Sequence, residues 1–229
     1  YRNVYCSRCA EDLRFVWNSV GMRAGAKLRI GITGGIAAGK STVLTLLREF
    51  GFEVFDADRI AHQAYRKGTP GFLAVAARFG PEALSAETGE IDRRKLGEIV
   101  FRDRSAMRDL ETILHPFVRR EIEAALADSD GDAAVEAVKL FEAGLAECFD
   151  ERWLVCVPEE VALARLVRER GFSADSALVR IRAQSDASAL NRSRADWIIS
   201  GITGMSELRR AIAERIGGLR KSVSMGDIK

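Results

Sequence analysis

The sequence predicts an α/β fold, a three-layer sandwich in which a mostly parallel sheet of about five strands is covered by helices on both faces. Three observations carry this. From Leu28 onward, short β-branched apolar runs alternate with stretches of helical periodicity. The first run ends in a cluster of glycines that opens directly into a helical pattern. After the second strand a long helix-only stretch intervenes before strands resume, and it reads as a substrate-gripping insertion.

The elements follow in order. "LRIGIT" is short, apolar and β-branched, the pattern of a buried strand. Residues 39–50 form a helix, with Val43, Leu44, Leu46, Leu47 and Phe50 at helical spacing and Gly51 as the stop. "FEVFDAD" is a second strand ending in acids. Helical pattern then runs from about Ile60 to Asp128, broken at "GTPG", "FGPEA" and "TGEID". "AAVEAVKLF" and "RWLVCV" are the third and fourth strands. Pro158 opens a helix reaching about Arg170, and another covers about Ala174 to Ala187. "ADWIIS" is the fifth strand, followed by a terminal helix, "MSELRRAIAERIGGLRK". The expected division is a core with an arginine-bearing lid over 28–58 and 133–229, and a helical substrate-binding region over about 59–132. Residues 1–27 lack a clear period and read as an extension outside the α/β body, non-native or flexible, with Met22 shortly before the first strand. A short docking helix around "EDLRFVWNSV" is the alternative.

Composition excludes several classes. With 35 Lys+Arg against 33 Asp+Glu, the net charge of +2 gives no global basic field for nucleic acid. No apolar run approaches the roughly 20 residues of a membrane span, and no signal-peptide pattern is present. Cys6, Cys9, Cys148 and Cys156 are therefore expected as reduced thiols in a cytoplasmic protein. Cys6 and Cys9 form a C-x-x-C, but a zinc site needs a second ligand pair, and His62 and His115 stand isolated.

The glycine turn carries the chemistry. Gly34-Gly35-Ile36-Ala37-Ala38-Gly39-Lys40-Ser41 fits G-x-x-x-x-G-K-[ST] between a strand and a helix, the context that gives this motif meaning. Inward-facing backbone N–H groups form an anion nest that side chains would block. The helix N-terminus adds partial positive charge. Lys40 can reach the β- and γ-phosphates, the Ser41 hydroxyl can ligate Mg²⁺, and Thr42 can bond phosphate. The turn thus predicts a P-loop NTPase type of fold that holds the phosphates of a nucleoside triphosphate.

Asp56 and Asp58 end the second strand at the edge where the glycine turn lies. A carboxylate there can accept a proton from an attacking hydroxyl or help hold Mg²⁺; Asp58 as N-cap of the next helix is the other reading. Arg165, Arg168, Arg170, Arg180 and Arg182 crowd two late helices, either as clamps on a transferring phosphoryl group or as a solvated face. A GTPase switch would carry N-K-x-D, which is absent. A non-catalytic nucleotide-binding regulatory module would not need the helical insertion, and a nucleoside monophosphate kinase is the nearest rival enzyme. Phosphoryl transfer to a small molecule fits best.

From Leu28 to about Leu219 the chain resembles dephospho-coenzyme A kinase. "GITGGIAAGKST" is similar to that family's glycine loop, and "DADRIAHQAY" followed by "GTPG" and "FG" is more specific still. "GEIDRRKLGEIVF", "LETILHPFV", "KLFEAGL", "RLVRERG", "RIRAQ" and "ADWIIS" complete the order. The resemblance implies ATP-dependent phosphorylation of the ribose 3′-hydroxyl of dephospho-CoA, the last step of coenzyme A synthesis. It implies Asp58 as the base, Lys40 and Ser41 in phosphate and Mg²⁺ roles, and Arg165 as a lid arginine. It places Arg93 and His115 at substrate-binding positions of the helical region. The implied partners are ATP and dephospho-CoA, with no nucleic acid and no membrane, for a monomer or weak homo-oligomer. Three positions depart from the family pattern. Ala37 stands where glycine is usual, a methyl that fits if φ there is negative. Lys139 stands near a usual proline, either meeting substrate phosphate or lying as a surface lysine with a buried stem. Gly201 replaces a usual Asn, which puts a side-chain contact to adenine there in doubt.

Overall fold

The structure is a computed structural model, and it describes residues 27–184 and 191–225. Residues 1–27, read above as an extension, and the "EDLRFVWNSV" helix fall outside the described residues except for Lys27, as does the expected helix beyond Gln184. Lys27–Arg215 forms one compact unit, which holds the sheet; from Ile216 the last helix belongs to a second.

Five parallel strands run in the order β2-β3-β1-β4-β5. They are β1 Arg29–Gly34, β2 Glu53–Asp56, β3 Ala133–Glu136, β4 Glu151–Cys156 and β5 Trp197–Ser200. β1 is central, with Ile32 beside Glu136 of β3 and Trp153 of β4. Ile30 and Ile32 are fully buried. Gly31 between them has no side chain because Leu140 and Phe149 occupy the space: a Cβ there would lie 2.6 Å from Leu140 Cδ1 and 2.5 Å from Phe149 Cδ2.

At the N-terminal edge of the sheet, aspartates preceding the strands satisfy the first N–H groups of their neighbours. Asp132 accepts from Leu28 at 2.8 Å, Asp150 from Arg29 at 2.7 Å and Asp196 from Arg152 at 2.8 Å. Such groups would otherwise be orphaned at the ends of the ladder. Glu151 opens β4 in a buried position, held by bidentate bonds from Arg215 and by the Trp153 indole N–H at 3.0 Å. A buried carboxylate is tolerable with this degree of pairing.

The helices are α1 Lys40–Glu49, α2 Ala57–Ala64, α3 Pro70–Phe79, α4 Arg93–Arg102, α5 Arg104–Asp128, α6 Glu159–Arg170, α7 Ala174–Arg182 and α8 Met205–Met225. Side-chain caps set several starts: Asp56 for α2, Thr69 for α3, Asp92 for α4, Asp103 for α5 and Ser173 for α7. α1 buries Val43, Leu44, Leu46 and Leu47 and ends at Gly51, whose φ of 86° turns the chain back. The helix-only region α2–α5 shares one core with the sheet's β3 side, through Val75, Leu96, Val100, Ile122 and Leu140 among others.

Two strand ends differ from the sequence reading. β2 stops at Asp56, because its side chain caps α2, which starts at once. The third strand stops at Glu136 rather than running through Phe141. Leu140 and Phe141 are buried, but in a turn closed by Ala143 N–H to Lys139 O at 2.8 Å and Leu145 N–H to Leu140 O at 3.0 Å.

Candidate active site

The parallel arrangement brings the C-terminal ends of all five strands to one edge. Gly34, Asp56 and Glu136 are neighbours there, since Asp56 pairs with Glu136 across β2–β3 and Ile32 pairs with Glu136 across β1–β3. α1 starts from Gly39 in a left-handed conformation, φ 101°, with no side-chain cap. Its first N–H groups have no intrahelical acceptors and point into the turn. Gly35 is open on its Cα face, its nearest neighbour to an added Cβ being Gln184 Oε1 at 3.8 Å. Gln184 Oε1 accepts the Ile36 N–H at 2.8 Å. Ala37 has φ 57°, against the negative value its methyl would prefer. Its conformation is therefore the glycine-like one, adopted without glycine.

Lys40 lies back along the turn. Its Nζ donates to Gly34 O at 2.9 Å and Gly35 O at 3.2 Å, and stands 3.6 Å from Glu136 Oε1. Burial, first, holds its ammonium below the ordinary lysine range; Glu136 opposes that shift and Arg170 adds to it. Ser41 is exposed in the first turn of α1, and Thr42 follows it, half-buried.

Asp56, not Asp58, is the N-cap of α2. Its Oδ1 accepts the Asp58 N–H at 2.9 Å and the Arg59 N–H at 3.1 Å. That leaves the Asp58 carboxylate outside the capping bonds, open on one side to the cleft. Enough protein surrounds it that burial, first, and the like charge of Asp56, second, push its carboxyl above the ordinary aspartate range. His62, Lys40 and Lys139 pull in the other direction. Asp58 and Lys40, the two groups most central to phosphoryl transfer in the sequence reading, thus lie within each other's field.

The remaining residues divide into two groups around Asp58. On one side His62 faces Asp58, Asp56 and Arg93; burial, then Arg93, lowers its imidazole. Arg93 and His62 line a cavity of about 460 Å³ with Arg59, Tyr65, Arg66 and Lys67. On the other side Lys139 pairs with Glu111 of α5. His115, one turn on, is lowered by burial, with Glu111 opposing and Lys139 adding to the shift. Lys139 is therefore an ion-paired lysine whose charge still reaches Asp58.

The arginines of α6 and α7 are not a uniform clamp. Arg165 Nη1 donates to Ala37 O at 2.9 Å and Nη2 to Gly201 O at 2.7 Å. Arg168 pairs with Glu169 at the surface, and Arg180 lies over the Phe172 ring at 4.6 Å. Arg170 acts on Lys40. Two residues escaped the sequence reading. Glu136 was hidden inside an overlong third strand, although it is the acid that ends a strand beside the glycine turn. Gln184 stood in "RIRAQ" without an assigned role.

These features have close counterparts in known proteins. The family model described as dephospho-CoA kinase matches residues 28–207. The chain belongs to the dephospho-CoA kinase family. It is 46% identical over 159 residues to the dephospho-CoA kinase of Carboxydothermus hydrogenoformans, covering 68% of this chain and 77% of that one. It is 39% identical over 189 residues to that of Geobacillus kaustophilus, covering 81% and 93%. Among solved structures it is similar to dephospho-CoA kinase from Campylobacter jejuni, with TM-score 0.61, 27% identity and coverage of 86% of this chain and 99% of that one. TT1252 from Thermus thermophilus matches with TM-score 0.70 and 33% identity over 85% of this chain and 99% of that one. A shikimate kinase from Bacteroides thetaiotaomicron, at TM-score 0.51 and 15% identity, shares the fold. As a dephospho-CoA kinase family member this protein is an α/β phosphotransferase, and no helix among its described residues is long and apolar enough to cross a membrane.

Proposed function

We propose that this kinase transfers the γ-phosphoryl group of ATP to the ribose 3′-hydroxyl of dephospho-CoA, forming CoA and ADP in the last step of CoA synthesis in the cytoplasm. The observation that carries the reading is that Asp58 interacts electrostatically both with Lys40 of the glycine turn and with His62, which lines the neighbouring cavity. The donor's phosphates lie against the turn's N–H groups and the start of α1. The acceptor enters from the cavity, whose Arg59, Arg66, Lys67 and Arg93 suit its diphosphate, and whose volume falls in the range of small-molecule sites.

Asp58 takes the proton from the 3′-hydroxyl as the oxygen bonds to the γ-phosphorus, and the bond from that phosphorus to the β-bridging oxygen breaks to release ADP. The raised carboxyl makes Asp58 a stronger base than an ordinary aspartate. Lys40 follows the charge that builds on the β–γ bridge. Phosphate oxygens replace the Gly34 and Gly35 carbonyls as its partners, while Glu136 opposes the loss of its proton. His115 and the Lys139–Glu111 pair border the acceptor on the far side of Asp58.

Mg²⁺ with a bound nucleotide is held mainly by phosphate oxygens and water and needs few protein ligands. The exposed Ser41 hydroxyl fits that demand, and no group of three or more acidic, His or Cys ligands occurs among the described residues. Bound there, Mg²⁺ would neutralise charge on the β- and γ-phosphates.

The test is to incubate the protein with ATP, Mg²⁺ and dephospho-CoA, alongside a panel of nucleoside monophosphates. CoA formation with ADP as its co-product, and no conversion of any monophosphate in the panel to its diphosphate, supports the reading. Phosphorylation of a monophosphate's phosphate in place of a ribose hydroxyl would overturn it.

A further inference from the structure

We infer that Arg165 is a positioning residue that fixes the shape of the phosphate-binding turn, and is not a group that closes onto the transferring phosphoryl. The inference rests on the turn's role in binding the donor nucleotide. It deepens that role by naming what holds the turn in its working conformation.

The peptide between Ala37 and Ala38 is fastened at both ends. Arg165 Nη1 donates to its carbonyl at 2.9 Å, and its N–H donates to Gly35 O at 3.2 Å. The residue before that peptide, Ala37, is the one non-glycine at positive φ among the described residues. A side chain resists that conformation, so an external contact must hold what a glycine would adopt freely. The guanidinium supplies it.

The other arm of Arg165 reaches Gly201 O at 2.7 Å. Gly201 directly follows β5, and its N–H donates to Cys156 O at 2.8 Å. It presses so closely on the turn that a Cβ there would stand 1.9 Å from Ala38 O and 2.8 Å from Val157 Cγ1. Arg165 therefore joins two turns carried on strands that β4 separates in the sheet. The absence of a side chain at Gly201 is what lets them meet. A planar guanidinium meets the two carbonyls with two nitrogens held in a fixed fork, whereas a lysine would have to reach both from one nitrogen. With both terminal nitrogens engaged on carbonyls, and Nη1 only 3.6 Å from where a Gly39 Cβ would be, the group is seated against the turn.

The test compares wild type, Arg165→Ala, Arg165→Lys and the double variant Ala37→Gly/Arg165→Ala. ATP and ADP affinities, kcat, and amide hydrogen exchange across residues 35–42 are measured for each. We expect Arg165→Ala to weaken ATP and ADP alike by about tenfold or more, the scale of a lost charge-assisted hydrogen bond. Exchange at Ala38 and Gly39 should accelerate, kcat at saturating ATP should change less than affinity, and the KM for dephospho-CoA should hold. Lys should fail to rescue, and Ala37→Gly should recover part of the loss. Intact ADP affinity and exchange with a collapsed kcat would overturn the inference and make Arg165 a phosphoryl clamp. Full rescue by Lys would overturn it too. The nucleotide and exchange measurements do not depend on the acceptor. A wild-type protein inactive on dephospho-CoA that still shows this Arg165 dependence would sink the proposed acceptor and leave the inference standing.

Discussion

Asp56 caps the helix that carries Asp58: the Asp56 Oδ1 accepts the backbone N–H of Asp58 at 2.9 Å. The two acids of one short motif thereby take separate work. The first fixes where the strand ends and the helix starts, and the second is left with a carboxylate facing the cleft.

Substitution separates these roles. Asp58→Asn is expected to keep ATP binding and the fold while turnover of dephospho-CoA falls about 10²-fold or more, the scale of a positioned general base. Asp56→Ala removes a cap and is expected to cost about 1 kcal/mol of stability. Denaturation midpoints and turnover at saturating ATP check both. Full turnover in Asp58→Asn would remove it as the base.

The pH profile carries a second signature. Asp58 must be ionised to accept a proton, and burial raises its carboxyl. Turnover is therefore expected to fall on acidification at a higher pH than an ordinary aspartate would give. Asp56→Asn keeps a capping side chain but removes the like charge, so that acid limb should move to lower pH. For stability, a raised folded-state carboxyl favours the protonated form. Its contribution is complete below the ordinary aspartate range and is lost as the pH climbs through the raised value. Asp58→Asn should thus melt above wild type at neutral pH, with the difference closing in acid.

Lys40→Ala is expected to lower kcat about 10²-fold or more, as removal of a preorganised electrostatic group does. Its partner gives a subtler check. Glu136 opposes the loss of the Lys40 proton that burial promotes. Glu136→Gln should bring the alkaline fall in activity to lower pH. An alkaline limb unchanged in that variant would mean that Lys40 is not the group titrating there.

Ala37→Gly addresses the turn itself. Relief of the left-handed conformation gains about 1–2 kcal/mol, and the added freedom of the unfolded chain costs roughly 0.4–1 kcal/mol. A net stabilisation between about 0 and 1.6 kcal/mol is expected, read from the denaturation midpoint. A destabilised variant would show that the methyl contributes packing that outweighs its conformational cost.

Much of this was legible in the sequence because period and punctuation agreed. Strand, glycine turn and helix at Leu28–Phe50 each carried independent signals, and so the residues of the turn could be named one by one. The errors have a common physical source. An apolar run shows that residues are buried but not in what backbone. Leu140 and Phe141 are buried as the anchors of a turn, Leu140 sharing with Phe149 the space that Gly31 leaves, and counting them as strand hid Glu136. Likewise, two acids spaced by one residue give no sign of which one caps until the end of the strand is known. The path of Arg165 was out of reach for a different reason. It depends on Ala37 and Gly201, distant in sequence, arriving on the same side of α6.

The sheet order has a consequence for how the enzyme comes into being. β1 is made early in the chain, yet both of its ladder partners come from far downstream, with Arg29 beside Ala133 and Ile30 beside Glu151. Until β3 and β4 have been synthesised and docked, β1 has no neighbours, and the glycine turn has nothing to hold its ends. Such non-local pairing is slow to nucleate and leaves an apolar strand waiting. A nascent chain stalled before Glu151 would carry the entire nucleotide motif and still be unable to present it, so ATP should act as a ligand only of late folding intermediates, rewarding completion of the sheet and not its initiation.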